Sequence, residues 1–417
     1  MTLPFRGFLL CALALSIAFA ATPAFSQTQS TEAPPPRQHR VQGPGEDCNL
    51  SKFCGVPYVY VPPADPPSPA LTGEARLRGS GAKLVNGVAI QYGGQIGWGT
   101  VCYGSPNCAW GVDRGFVNHV EYKPDMGFNY AYPLKFPEET TGGVAAIAMN
   151  SKGHIYAVVR NDPGKPMLFE WDENYKLVHS FGSDIASKAH GMAVDSEDNL
   201  WLCDQFGDTV LKFSPEGRLL MTLGVKGQRG DWNEAKGQRL LWQPTSMAFA
   251  PNGDIYIAMG HGNESPNDGA ARILHLDKDG KFVNQWFGNA AGPGKFGMAH
   301  GIAVNPNNGN VYIGDREEYR IVVYDANGKF VKTIQSPNLT CEFFVDRHKQ
   351  LWMATGMDGQ IVKMDWDGNV LGAAGEGPGK GLGQFVETNA MAEDAQGNIF
   401  VSDTTLTRVT EMVAPKK

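Results

Sequence analysis

The chain has 417 residues, 42% of them hydrophobic, and its 51 glycines and 27 prolines describe short strands and many turns rather than helices. A formal net charge of −7 with no basic run argues against a nucleic-acid surface and leaves a small or neutral ligand easier to accommodate.

Residues 1–26 hold one early positive charge, Arg6, an apolar run over 7–21, and small residues before Ala24-Phe25-Ser26; this predicts a cleaved secretory signal. Cys11 lies inside that run, a poor setting for lipidation. No second run is long enough to span a bilayer, so the mature protein is expected to lack a membrane anchor and to be secreted or periplasmic. Residues 27–45, rich in Gln, Ser and Pro, read as a disordered linker. Residues 46–138 form a Cys-, Gly- and Pro-rich extension with strand-like pieces at 85–90 and 116–122. Cys48/Cys54 and Cys102/Cys108 are close-spaced couples, and an oxidising compartment makes disulfides within each couple the first expectation, although four cysteines allow three pairings.

From Gly142 the text becomes periodic. A turn and a strand recur as SKGHIYAV from Ser151, SEDNLWLC from Ser196, PNGDIYIA from Pro251, NNGNVYIG from Asn307, RHKQLWMA from Arg347 and AQGNIFVS from Ala395. Most copies continue into a hairpin such as RILHLDKDGKFVNQWFG from Arg272, whose Asp-Gly pair is a strong turn signal. Four strands per unit predict an all-β fold: a six-bladed β-propeller over 139–417 with a loop-rich N-terminal extension. The sixth unit stops after a strand at 407–412, so its outer strand is expected from upstream of Gly142, and the 46–138 extension then contributes to ring closure.

Aligning the units places Ala145, His190, Thr245, His300, Cys341 and Asn389 at one equivalent position of the first strands, which line the channel of a propeller. Two of these lie in near-identical frames, Ala189-His190-Gly191-Met192-Ala193-Val194 and Ala299-His300-Gly301-Ile302-Ala303-Val304. His190, His300 and Asn389 alternate around the axis, an arrangement suited to a divalent metal such as zinc; the competing reading is that each histidine bonds a backbone group in the channel. Asn389 is a weak donor, and Cys341 is either a buried thiol or a minority ligand. Cys203, at the end of a second strand, reads as a buried free thiol.

The residues after each second strand form a further set: Arg160, Gln205, Gly260-His261, Arg316, Gly356 and Thr404. Arg160 and Arg316 bring permanent charge to the channel mouth, either for a carboxylate ligand or for a loop Asp. His261 opens the longest insertion and is either a general base or a solvated loop residue. Asp204, Asp315 and Asp403 recur one position earlier and read as turn caps.

The succession AHGMAVDSEDNLWLCD, QPTSMAFAPNGDIYIA, AHGIAVNPNNGNVYIGDREEYRI resembles the NHL-repeat propeller of the peptidyl-α-hydroxyglycine α-amidating lyase family over about 142–412. The resemblance implies cleavage of the N–Cα bond of a C-terminal α-hydroxyglycine, giving an amide and glyoxylate, with zinc on three axial histidines, a nearby arginine and tyrosine, and a structural calcium. His190 and His300 match two zinc histidines; Arg160 and Arg316 match two family arginines. The third histidine falls on Asn389, the calcium-linked Asp on Ala390 and the tyrosine on His261, while Glu387 stands two residues from the vacant ligand position. The ligand expected is a small molecule or a peptide C-terminus. The alternatives are a non-catalytic NHL propeller that binds a peptide or protein, and a lactonase-like metal-dependent hydrolase.

Overall fold

The computed structural model describes residues 84–85, 88–89 and 126–415, apart from 184, 261–270, 289–293, 317–319, 336–338, 357–358 and 378. The signal segment, the linker, most of the extension with its four cysteines, and His261 lie outside the described residues. Among the described residues no α-helix occurs, and no helix there is long and apolar enough to cross a membrane.

Six four-stranded antiparallel sheets follow one another as blades. Their innermost strands are Val144–Met149, Ala189–Val194, Pro244–Phe249, Ala299–Val304, Glu342–Val345 and Thr388–Glu393. The six-bladed propeller expected from the repeats is the fold observed. Short aliphatic and aromatic strands such as Ile155–Val159 and Val311–Asp315 are buried along their whole length because each blade is covered by a neighbour on both faces.

The polar turns between the strands have a common chemistry. Asp277, Asp325 and Asp365 each accept two backbone N–H bonds through Oδ1, from Asp279 and Lys281, Asn327 and Lys329, Asp367 and Asn369. The fourth residue of each turn needs positive φ, supplied by Gly280, Gly328 and Gly368; in the first blade Tyr175 adopts it with φ of 64°. Tyr175 is held there from outside, its hydroxyl donating to Glu411 of the last blade at 3.0 Å.

The outer strand of that last blade is Asn129–Ala131, antiparallel to 411–413, so a segment upstream of the first blade completes the sixth. Further clasps join the same ends: Val144 N donates to Leu406 O at 3.2 Å and Thr407 Oγ1 to Gly142 O at 2.8 Å.

Candidate functional site

Five of the six aligned first-strand positions bond onward to the next blade, and Arg160 supplies the sixth link. His190 Nδ1 meets Thr245 O at 2.9 Å, Thr245 Oγ1 donates to Ala299 O at 2.8 Å, and His300 Nδ1 meets Cys341 O. Cys341 Sγ then donates to Asn389 Oδ1 at 3.6 Å, and Asn389 Nδ2 to Ala145 O at 2.6 Å. The first blade bonds the second through Arg160, whose Nε donates to Ala189 O at 3.1 Å.

The glycine after each histidine is what lets the neighbouring strand come close enough to accept these bonds. A Cβ on Gly191 would stand 2.3 Å from Thr245 O, and one on Gly301 would stand 2.8 Å from Glu342 Cα and 2.9 Å from Cys341 O. The inner strands bulge at this point, between Ala189 and Met192 and between Ala299 and Ile302. Gly301→Ala is therefore expected to destabilise the fold by about 1–3 kcal/mol, measured as a midpoint shift in denaturant unfolding; an unchanged midpoint would show that the close approach is not needed.

The tautomer of both histidines follows from the same contacts. A carbonyl oxygen only accepts, so each Nδ1 carries the proton and each neutral ring keeps its lone pair on Nε2. Both imidazoles are held well below the ordinary histidine range. For His190 the causes are burial first, then His300, Arg160, Lys188 and Arg316; for His300 they are burial, Arg316 and Arg160, against a raising bond to Cys341. The rings lie edge to face with centroids 4.6 Å apart. An Nδ1–H held by a backbone carbonyl is also the usual support of a metal-binding histidine.

One layer outward, five blades repeat a single backbone bond. Arg160 N, Gln205 N, Gly260 N, Arg316 N and Thr404 N donate to Gly143 O, Lys188 O, Gln243 O, Met298 O and Glu387 O at 3.0–3.4 Å. The residues after the second strands thus share one face, above the histidines. Asp204, Asp315 and Asp403 cap the turns beneath them: Asp204 accepts from Ser187 N and Lys188 N, Asp315 from Gly297 N and Met298 N, Asp403 from Val386 N and Thr405 N. Arg316 is buried and ion-paired, its NH2 nitrogen 2.9 Å from Glu387 Oε1, while Glu387 Oε2 accepts from Thr404 Oγ1 at 2.6 Å. Asp315, the Asp next to Arg316 in sequence, pairs instead with Arg320 at 2.7 Å.

Ile147, Met192, Met247, Ile302, Phe343 and Met391 line a cavity of about 430 Å³ at the opposite mouth.

Of the three positions expected to face a metal, two carry imidazoles, His190 and His300. At the third position the Asn389 amide is engaged on both sides, by Cys341 and by Ala145 O, and among the described residues no group of three or more His, Cys, Asp or Glu stands together to hold a metal. Cys203 and Cys341 are buried thiols outside any disulfide, and burial pushes Cys203 far up. Two features escaped the sequence reading, the Arg316–Glu387 pair and a buried carboxyl at Glu342. The Arg316-Glu387 spacing of 71 residues carries no periodic signal.

Comparison with known proteins agrees with this architecture. A family model described as a 6-bladed beta-propeller matches residues 267–403. The chain is similar to peptidyl-alpha-hydroxyglycine alpha-amidating lyase 1 of Drosophila melanogaster, 30% identical over 37% of this chain and 28% of that protein. It is also similar to NHL repeat-containing protein 3 of Homo sapiens, 28% identical over 50% of this chain and 58% of that protein. The matches thus span less than two thirds of either relative. The resemblance read from the repeats holds, at the level of a divergent propeller of this kind. Among solved structures a gluconolactonase from Xanthomonas campestris has a TM-score of 0.51 and 16% identity over 70% of this chain and 91% of its own, a likeness of fold alone.

Proposed function

We propose that the protein is an exported carbon–nitrogen lyase of the amidating kind, acting on an α-hydroxyglycine at the end of a peptide or acyl chain. The observation that supports it best is the pair His190 and His300, both neutral, both fixed through Nδ1 by the next blade's carbonyl, and both within the field of Arg160 and Arg316. In the reaction the N–Cα bond breaks and its electron pair goes to nitrogen, which takes up a proton and becomes the primary amide. The hydroxyl loses its proton and the carbon becomes the aldehyde of glyoxylate.

His190 and His300 would hold a divalent ion, with zinc the expected one; once bound, such an ion acts as a Lewis acid that makes an alcohol proton easier to lose. Arg160 is the candidate clamp for the ligand's carboxylate, because its Nε bond to Ala189 O fixes the guanidinium beside the histidine strand. Arg316, tied to Glu387, serves as a fixed charge near the pair rather than a mobile clamp. His261 is proposed to accept the proton; it lies outside the described residues.

The test is direct. Zinc-loaded protein incubated with N-benzoyl-α-hydroxyglycine is expected to release benzamide and glyoxylate in equal amounts, and none from loaded, folded protein would defeat the lyase reading. A non-catalytic binding propeller is the second reading, favoured by the engagement of Asn389 within the circle.

Asn389→His checks the metal half separately. A histidine there would keep a donor for Ala145 O and add an imidazole, so zinc affinity is expected to rise roughly tenfold or more, read by competition with a chelating dye.

A further inference from the structure

Phe206 stands beside the mouth on the second-blade side, 48% exposed. Scattered apolar residues on a surface are ordinary; the setting of this one is not. It lies on the turn after Leu200–Asp204, and the fully buried Asp204 carboxylate accepts from Ser187 N at 2.8 Å, Lys188 N at 2.9 Å and Gly207 N at 3.0 Å. One side chain thereby ties the segment entering His190 to the turn that displays Phe206. Gln205 N donates to Lys188 O at 3.0 Å, and Gly227 N to Gly207 O at 2.9 Å, so the turn is braced from both sides.

Lys188 completes the arrangement, with Nζ 4.5 Å from the Phe206 ring centroid, a cation against an aromatic face. It stands two residues before His190 in sequence and adds to the positive field at that imidazole. Arg160 reaches the same strand through Ala189 O. Two cations therefore flank the second blade's arc, where a ligand carboxylate would be drawn. A peptide terminus anchored by its carboxylate beside His190 brings the preceding residue over the rim, and on this arc the rim presents an aromatic ring.

We propose that Phe206, steadied by Lys188, is the subsite for the side chain preceding the cleaved glycine unit, and that it selects an aromatic or large apolar one; this rests on the lyase reading above. A contact of this kind is worth about tenfold in discrimination.

The experiment has two arms. The first compares kcat/KM for N-acetyl-phenylalanyl-α-hydroxyglycine and N-acetyl-alanyl-α-hydroxyglycine. The second measures binding of the uncleavable N-acetyl-phenylalanyl-glycine and N-acetyl-alanyl-glycine by calorimetry. Wild type is expected to favour the phenylalanyl member about tenfold in both arms, Phe206→Ala to bring the ratio near one, and Phe206→Trp to restore it. Equal treatment of the two members by wild type, or a preference that survives Phe206→Ala, overturns the subsite. Preference and its loss in the calorimetric arm, with no glyoxylate from either substrate, uphold the subsite and overturn the lyase.

Discussion

His300→Asn is expected to abolish glyoxylate release, by roughly a thousandfold or more, while leaving the fold close to wild type. The protein itself supplies the reason, because an asparagine already occupies the equivalent place in the last blade. There Asn389 Nδ2 donates to Ala145 O just as His300 Nδ1 meets Cys341 O. An amide at 300 can keep that link and yet offers no imidazole. Metal content measured after gel filtration is expected to fall with activity, and His190→Asn to behave alike, with the double variant no worse than either single one, since the two rings act as one unit. Wild-type turnover in His300→Asn would remove the histidine pair from the chemistry.

A comparably large effect is expected on stability from Glu342→Gln. Glu342 is buried on the inner strand of the fifth blade, its Oε1 accepting from Ser246 Oγ at 2.9 Å and from its neighbour Phe343 N at 3.0 Å. Burial pushes its carboxyl up to about 8, against those lowering bonds. A raised carboxyl binds its proton more tightly folded than unfolded, so its contribution is complete below about pH 4.5 and is lost as pH climbs towards 8. The loss has an upper bound on the order of 5 kcal/mol. Glutamine keeps an acceptor oxygen and carries no charge, so the variant should match wild type near pH 4 and exceed it by several degrees in thermal midpoint at pH 9. A gap that does not grow with pH would show that Glu342 is not a strained acid.

The two histidines bend the profile at the other end. Both are depressed in the folded state, so the unfolded chain takes up their protons more readily, and stability falls as pH drops below about 6.5. Glu342→Gln leaves that acid-side fall in place and removes only the alkaline one.

What the sequence reveals of this molecule is what repeats. The turn-and-strand text from Ser151 to Ala395 announced six blades, and the frame Ala-His-Gly placed His190 and His300 in register, because a repeated backbone setting imposes a repeated local pattern. Contacts between unlike positions left no such trace. Nothing around Glu342 says that Ser246, 96 residues away, will meet it, and Glu387 gives no sign that it faces Arg316 rather than an open channel. The glycines of the His-Gly pairs were visible as letters, but their reason, room for the next strand's carbonyl, is a property of two blades together. Phe206 is legible only once Asp204 is seen to bind both sides of its turn.

The circle of bonds through the six inner strands has a temporal meaning as well. Its last link joins Asn389 to Ala145, positions 244 residues apart, so it forms only when the final blade has docked against the first. Until then the strand that closes the sixth sheet and the clasp from Tyr175 to Glu411 are also unmade. The bonds that fix the two imidazoles, to Thr245 O and Cys341 O, lie within blades two to five and do not wait for that closure. The pair is thus separable from the closure, and a ligand that prefers the ordered pair stabilises by mass action the four blades that build it.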